Sequence, residues 1–564
     1  MSAADEAPHV VAGSGSTTAR RGVGPFGVWA IAFAVMSVLS VLWALASPVF
    51  SVPDENAHAT KAIAQLQGQV VGRTVDGVKH LVVDLAPEDA YTPNILCFAT
   101  HPAVPASCDG AELGDPEGSL WFNTWVGAYN PVYYYLVGWP SLFLDGNATV
   151  YGMRIASALV GSALLAFAFV LAMAGRRSRW LPFGVAFVAG PMNLYLLGAV
   201  NPNGLELAAS VALWVGVLRL FQHFDPRASM QADPWAVSRT ATWAIVTASA
   251  IALASARALG PLWLVVVVAL AALVAGWAPV RRLFTAPSSY AWLAAIAAAA
   301  IFSLGWTLFG GSLSSQAEVG DAPLVGAGPL TGAAYMLRMT PDYLQQAAGW
   351  FGWLDTPLPA WTYWLIAASV GILVVLAATA LRRRSTVVFW TVLAAGLLVP
   401  VLVQVRSVSQ TGIIWQGRYG LFLYLGILVV AAWLLSGRDG WRVSYLSARI
   451  TRIGAVSIAA FGLFAFWFVL LRYVVGLDQV PNAMWNDPQW QPPLGWMTLL
   501  GLYAIGSVAY VALIWWLAGV AARRDPDPVA VGAVDGPEAV ATVDESEAVA
   551  VATVDEPAVT DARA

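Results

Sequence analysis

The chain reads as an all-α polytopic membrane protein with about twelve transmembrane helices, and three observations predict that class. Of its 564 residues, 59% are hydrophobic and only 11% charged, whereas a soluble protein of this length needs about a quarter charged residues to cover its surface. Apolar runs of about 20 residues, long enough to cross hydrocarbon as a helix, recur along the chain. The 27 tryptophans suit many turns at headgroup depth, where an amphipathic ring is most stable.

In order, the spans are expected at 28–49, 152–173, 181–199, 204–222, 239–257, 259–278, 289–309, 361–381, 386–403, 419–436, 453–475 and 496–519. The first continues into Pro53-Asp54-Glu55 without a clear small-residue cleavage site, so it reads as an uncleaved anchor. If the spans alternate, Arg20-Arg21, Arg176-Arg177-Arg179, Arg281-Arg282, Arg382-Arg383-Arg384, Arg449-Arg452 and Arg523-Arg524 share one side. The positive-inside rule makes that side cytoplasmic, and both termini with it. The pair at 239–278 is the weakest, because Arg257 and Gly260-Pro261 leave a very tight turn between the two runs.

Alternation sends 50–151, 310–360, 404–418 and 476–495 outside and keeps the inner loops short. An intracellular nucleotide-binding domain has no room, and no Walker-type or dinucleotide-type glycine pattern occurs. A net charge of −4, without a basic stripe interleaved with aromatics, gives no sign of nucleic-acid binding. Residues 1–27 and 520–564 are expected as disordered cytoplasmic ends around a membrane domain at 28–519. Residues 525–564 carry ten acidic side chains, with Val540–Glu545 repeated as Val551–Glu556. Such a segment buries too little apolar area to order itself, and its remaining use is as a surface for a protein partner.

Chemistry is expected in the first outer loop. Asp54 and Glu55 follow the first span directly, with His58 three residues on. Carboxylates are costly in hydrocarbon, so a pair at its edge should face water, a cation or a charged substrate. Residues 56–71 read as a helix on the outer leaflet ending near Gly68 or Gly72, with Asp54 or Asn56 as its cap. Cys97 and Cys108, the two cysteines of the chain, favour a disulfide in an oxidising compartment; metal binding with His101 is the weaker alternative. In the aromatic run around Tyr129, Asn130 and Tyr133, the side chains form either an interfacial belt or a wall against a sugar or prenyl chain. Val132–Leu144 is too short to cross and reads as a re-entrant or surface helix.

Four segments in this order, Ser51-Val-Pro-Asp-Glu-Asn-Ala-His58, Asn130-Pro131-Val-Tyr133-Tyr134-Tyr135, Asn201-Pro-Asn-Gly204 and Gln416-Gly-Arg418-Tyr419, resemble a bacterial, actinobacterial-type family of predicted multispanning membrane proteins of unassigned function. That family is similar in layout to GT-C glycosyltransferases, which use polyprenyl-phosphate sugars outside the cytoplasmic membrane. The resemblance covers about 28–519 and is more specific for the family than for a reaction. Family members often carry proline at the position of Asn56, a departure that bears on helix entry. What the resemblance implies is a GT-C-like fold in a bacterial cytoplasmic (inner) membrane. The implied activity moves a sugar from a polyprenyl-phosphate donor to a cell-envelope glycan or lipid acceptor on the extracytoplasmic face. Within it, Asp54, with Glu55 beside it, stands where the fold's transferases carry a base or metal ligand.

For such a transfer Asp54 is the expected base and Glu55 its support or an ordinary capping carboxylate. A divalent metal (Mg or Mn) is expected, if anywhere, on Asp54, Glu55 and His58. Arg418, beside Gln416 and Tyr419, is the leading candidate for gripping phosphate, because its guanidinium offers paired donors. Arg338 is weaker, since Asp342 one turn on makes a local pair. Arg154 is expected to meet an acidic loop residue, and Glu206 to meet Arg418, Arg154 or a ligand hydroxyl. Asn201 and Asn203 suit sugar hydroxyls as well as ordinary turn chemistry. Competing functions are a transporter or flippase of a lipid-linked or small polar substrate, and a non-catalytic assembly protein. Polar residues gather at the outer edge and few charges fall mid-span, which favours an outward pocket over a polar path.

Overall fold

The computed structural model describes residues 23–78, 80–85, 97–108, 121–174, 178–226, 237–312, 322–437 and 444–523. The acidic tail, Arg20-Arg21, Arg176-Arg177 and Arg524 lie outside the described residues. The chain opens with α1 (Pro25–Ala46) and α2 (Glu55–Leu66). A small antiparallel pair follows, β1 (Leu81–Asp84) with β2 (Trp121–Thr124), Leu81 standing opposite Thr124. Then come α3 (Pro131–Gly138), continued by a 3₁₀ turn at Trp139–Leu142, and α4 (Gly146–Met173). Next come α5 (Trp180–Ala186) and α6 (Pro191–Leu197), an apolar pair bent by 60° at Gly190-Pro191, the geometry of a broken span or a re-entrant loop. They lead to α7 (Pro202–His223), α8 (Arg239–Ala256), α9 (Gly260–Ala275), α10 (Trp277–Thr285) and α11 (Tyr290–Phe309).

The second large loop folds into α12 (Pro329–Arg338), α13 (Thr340–Gly349) and a tight hairpin of β3 (Trp350–Phe351) with β4 (Thr356–Pro357). The chain closes with α14 (Ala360–Ala380), α15 (Arg383–Thr411), α16 (Leu421–Ser436), α17 (Tyr445–Val474), α18 (Ala483–Asn486) and α19 (Trp496–Arg523).

Nine helices among the described residues are long and apolar enough to cross a membrane, ten with the bent pair. Of the twelve expected spans, the two that fall short of this measure are α8 and α9. Serine and threonine dilute α8, and α9 has 16 residues, about 24 Å of helix, short of a hydrocarbon core of about 30 Å. The bundle is layered around α7, whose most apolar stretch is wholly buried, against 11% for that of α11. At 404–411, expected as loop, α15 continues as helix to Thr411.

A second correction concerns α2. It was expected on the leaflet surface, yet Ala57, His58, Ala59, Lys61, Ala62, Ile63 and Ala64 are all buried. Small alanines on every face let neighbours close in: Thr124 donates to the Ala57 carbonyl at 3.1 Å, and Gln65 to that of Pro131 at 2.8 Å.

Cys97 and Cys108 are joined by a disulfide. The loop they close is held on α17 by Arg472, which is fully buried and donates to the carbonyls of Val104, Phe98 and His101 at 2.6, 2.7 and 3.1 Å. The same guanidinium pairs with Asp355 at 3.1 Å, and Asp355 accepts the Thr100 N–H at 3.0 Å. Removing Arg472 strands a buried carboxylate. Arg472→Met is expected to cost about 3 kcal/mol or more, and Cys97→Ser with Cys108→Ser about 2–3 kcal/mol. Because both act on one loop, the combined variant should lose less than the sum in detergent-phase melting; strict additivity would show them to be independent.

Candidate functional site

The site is built on the turn between α1 and α2, where the backbone carbonyls have lost their helical partners. Arg154 of α4 supplies them. It donates to the carbonyls of Ala44 (2.9 Å), Ser47 (2.6 Å) and Pro48 (2.8 Å) and grips Glu55 through two bonds of 2.7 and 2.5 Å. Both side chains are fully buried. Glu55 also accepts the Val200 N–H at 2.9 Å, just before α7. Three more carbonyls of the turn are satisfied by side chains. Trp353 donates to the Phe50 carbonyl (3.1 Å), Tyr195 to that of Ser51 (3.3 Å) and Asn201 to that of Pro53 (3.0 Å).

Phe50 and Leu354 adopt left-handed backbone, φ 61° and 60°, which costs about 1–3 kcal/mol for such residues. In each case an indole N–H on the carbonyl, from Trp353 and Trp350, holds the conformation.

Asp54 is left-handed too, φ 66°, and occupies the N-cap position of α2 without capping it. This corrects the expected cap. Its carboxylate turns away from the helix to Arg418, 2.5 Å distant, with 29% of the side chain exposed against 5% for Arg418. Arg418 stands in the 3₁₀ turn Gly417–Gly420 ahead of α16. Gly417 is pressed on α13, accepting no Cβ, since one would lie 2.0 Å from the Tyr343 carbonyl oxygen; its N–H donates to Gln346 at 2.8 Å.

The Arg418 and Arg257 guanidiniums both lie against the Tyr419 ring, at 5.2 and 4.5 Å. Arg257, between α8 and α9, donates to Asn203 at 2.6 Å and stands 3.8 Å from Glu206. Two carboxylates, Asp54 and Glu206, two arginines and a tyrosine thus meet at one end of the bundle. Pro53, Tyr195, Gln346, Trp350, Gln416 and Arg418 border a cleft of about 10 Å³ beside them, room for one water. The buried Nε of Arg418 and Oε1 of Gln416 have no protein partner.

Several expected site residues have other duties. Glu55 and Arg154 have their polar atoms engaged with each other and with backbone, so neither is open to a substrate. Asn130 caps α3 through Val132 N–H and bonds Ser303, and the buried Tyr133 hydroxyl lies 3.3 Å from Ser157. Asn201 caps α7 through the Asn203 N–H. Glu206 meets Arg257, not Arg418 or Arg154. Arg338 is exposed at the end of α12, without an ion pair to Asp342. No group of three or more His, Cys, Asp or Glu side chains converges among the described residues. The proposed metal set is therefore divided, with Glu55 on Arg154 and His58 on the Tyr134 hydroxyl at 2.9 Å. Arg257 is the residue that sequence reasoning passed over; a lone arginine between two apolar runs was the available signal.

Tyr129 packs edge-on against the buried His58 ring. Burial first, then the positive charges of Arg257 and Arg418, hold His58 well below its ordinary pKa of 6.5. One turn on, burial pushes Lys61 down to about 7. For both groups the unfolded chain binds more protons than the folded one between the two pKa values, so stability falls as pH falls. The His58 contribution is complete above 6.5 and is lost below it; that of Lys61 is lost from 10.5 down to about 7. Melting temperature should therefore drop between about pH 7.5 and about pH 5, and drop less in His58→Gln. Equal slopes would show that His58 titrates normally.

No curated protein matches the chain in sequence. A family model described as "Predicted membrane protein (DUF2142)" matches residues 38–429, a stretch that includes Asp54, Arg154, Arg257 and Arg418. With more than two thirds of its length matched, this multi-pass membrane protein belongs to the DUF2142 family.

Proposed function

We propose that the chain is a GT-C-like glycosyltransferase that moves a sugar from a polyprenyl-phosphate donor to a cell-envelope glycan or lipid acceptor. The observation that carries this is the meeting of partly exposed Asp54 with Arg418, while Arg418 and Arg257 flank the Tyr419 ring. Transfer from a phospho-sugar needs a carboxylate to take the acceptor's proton and fixed positive charge for the departing phosphate. Here the two requirements are met by neighbouring side chains.

The Asp54–Arg418 pair closes the site in its resting form. The donor phosphate takes Arg418 from Asp54 and is held by Arg257 as well, guanidinium forks matching its oxygens. Asp54, released, accepts the proton of the acceptor hydroxyl as that oxygen attacks the anomeric carbon. The bond from that carbon to the phosphate oxygen breaks, and its electron pair leaves with the polyprenyl phosphate. Glu55 acts here as the anchor of the turn. Of the three ligands expected for a Mg or Mn ion, Glu55 is held by Arg154, His58 by the Tyr134 hydroxyl and Asp54 by Arg418, so a metal would have to displace Arg418 to reach Asp54.

In this proposal α8 and α9 also cross, making twelve spans with the bent pair. Asp54 then faces the extracytoplasmic side of a bacterial inner membrane, opposite the arginine clusters. Membrane lipids surround the bundle, and the acidic tail is left to a protein partner.

The test is transfer by purified protein from a panel of labelled polyprenyl-phospho-sugars to envelope acceptors, with and without divalent cation. Asp54→Asn should lose roughly 100-fold or more in rate while the protein still folds, the amide oxygen keeping a hydrogen bond from Arg418; normal transfer would remove Asp54 as the base. Movement of intact donor between leaflets without sugar transfer would favour a flippase.

A further inference from the structure

The far end of α9 from Arg257 carries a second concentration of charge. There Gly276 joins α9 to α10 with φ +86°, and the Arg384 guanidinium of α15 fills the place of a side chain, Nη2 lying 2.5 Å from where a Cβ would stand. This contact brings Arg281 and Arg282 of α10 to the same end as Arg382, Arg383 and Arg384 at the start of α15. All five are exposed, and none forms an ion pair with a described carboxylate. The first turns of α10 and α15 contain no acid either. Arg383 and Arg384 at the start of α15 add to the positive end of its dipole, and Arg281 and Arg282 bring two further charges from the later part of α10, an arrangement that an anion relieves.

The apolar residues beside them say what kind of anion. α10 connects two apolar helices; it buries Val280 and Leu283 and exposes Trp277 by 76% and Phe284 by 51%. That is the pattern of a helix lying at headgroup depth. On α15, Arg383, Val387 and Trp390 follow at helical spacing on one face, with Val387 exposed by 60% and Trp390 by 50%. A ligand held here meets guanidiniums first and then the apolar Val387 and Trp390, the last about 10 Å along the helix from Arg383.

We infer that Arg281, Arg282, Arg383 and Arg384 form a headgroup site for an anionic phospholipid whose acyl chain lies along Val387 and Trp390. A free phosphate uses the arginines but leaves the apolar track uncovered; a zwitterionic lipid covers the track but brings no net charge. The site is independent of the transfer reaction.

Delipidated full-length protein in detergent, titrated with phosphatidylglycerol and with phosphatidylcholine of the same chains, tests this by native mass spectrometry and melting. Phosphatidylglycerol should bind wild type roughly 100-fold more tightly than it binds Arg281→Gln/Arg282→Gln/Arg384→Gln, at about one Boltzmann decade or less per charge. Melting in phosphatidylcholine should be the same for both proteins. If the triple variant does not fold, Arg282→Gln alone should weaken binding about fivefold. Equal phosphatidylglycerol binding by wild type and variant, or equal affinity for phosphatidylcholine, would overturn the proposal. So would inorganic phosphate that binds as tightly as the lipid, since the site would then be one for a free anion.

Discussion

A single buried ion pair, Glu55 with Arg154, determines where everything at the Asp54 end of the bundle stands. Two charges out of water are costly, and their attraction offsets that cost only with good geometry and further hydrogen bonds. Arg154 has both: two bonds to the carboxylate and three to carbonyls of the α1 terminus, while Glu55 adds the Val200 N–H. Four elements, α1, α2, α4 and the entry to α7, therefore converge on one guanidinium–carboxylate contact. Replacing either partner alone would leave a naked charge among them.

Neighbouring carboxylates consequently have opposite fates. Glu55 points into the bundle and is sealed; Asp54, one residue earlier and in left-handed backbone, points out to Arg418 and keeps a share of solvent. Aspartate tolerates that backbone better than most side chains. The buried neighbour thus sets the direction of the partly exposed charge. On the other side, the close seating of Gly417 on α13 fixes the arginine that receives it.

Much of this was legible in the sequence where the signal is local. Twenty-residue apolar runs marked most spans, the two cysteines marked their bridge, and Arg154 was expected to find an acid in the loop. The rest depends on contacts far apart in sequence. No local feature distinguishes Asp54 from Glu55, because the distinction comes from a positive φ and from residues at 154 and 418. The burial of α2 was hidden because alanines serve a wet face and a packed one equally well. Arg257 looked like the blemish in a hairpin of two short helices, and its meeting with Tyr419, Asn203 and Glu206 is a product of the whole bundle.

The sequence separation of 364 between Asp54 and Arg418 has a consequence for biogenesis. At roughly 5–20 residues per second of synthesis, Arg154 reaches Glu55 early, whereas Arg418 leaves the ribosome on the order of tens of seconds after Asp54. The anchored turn is thus finished while its outward carboxylate still waits for a counter-ion, and insertion of the late helices is the event that completes the pair. A nascent chain halted before α16 lacks that counter-ion, although its anchored turn is already complete.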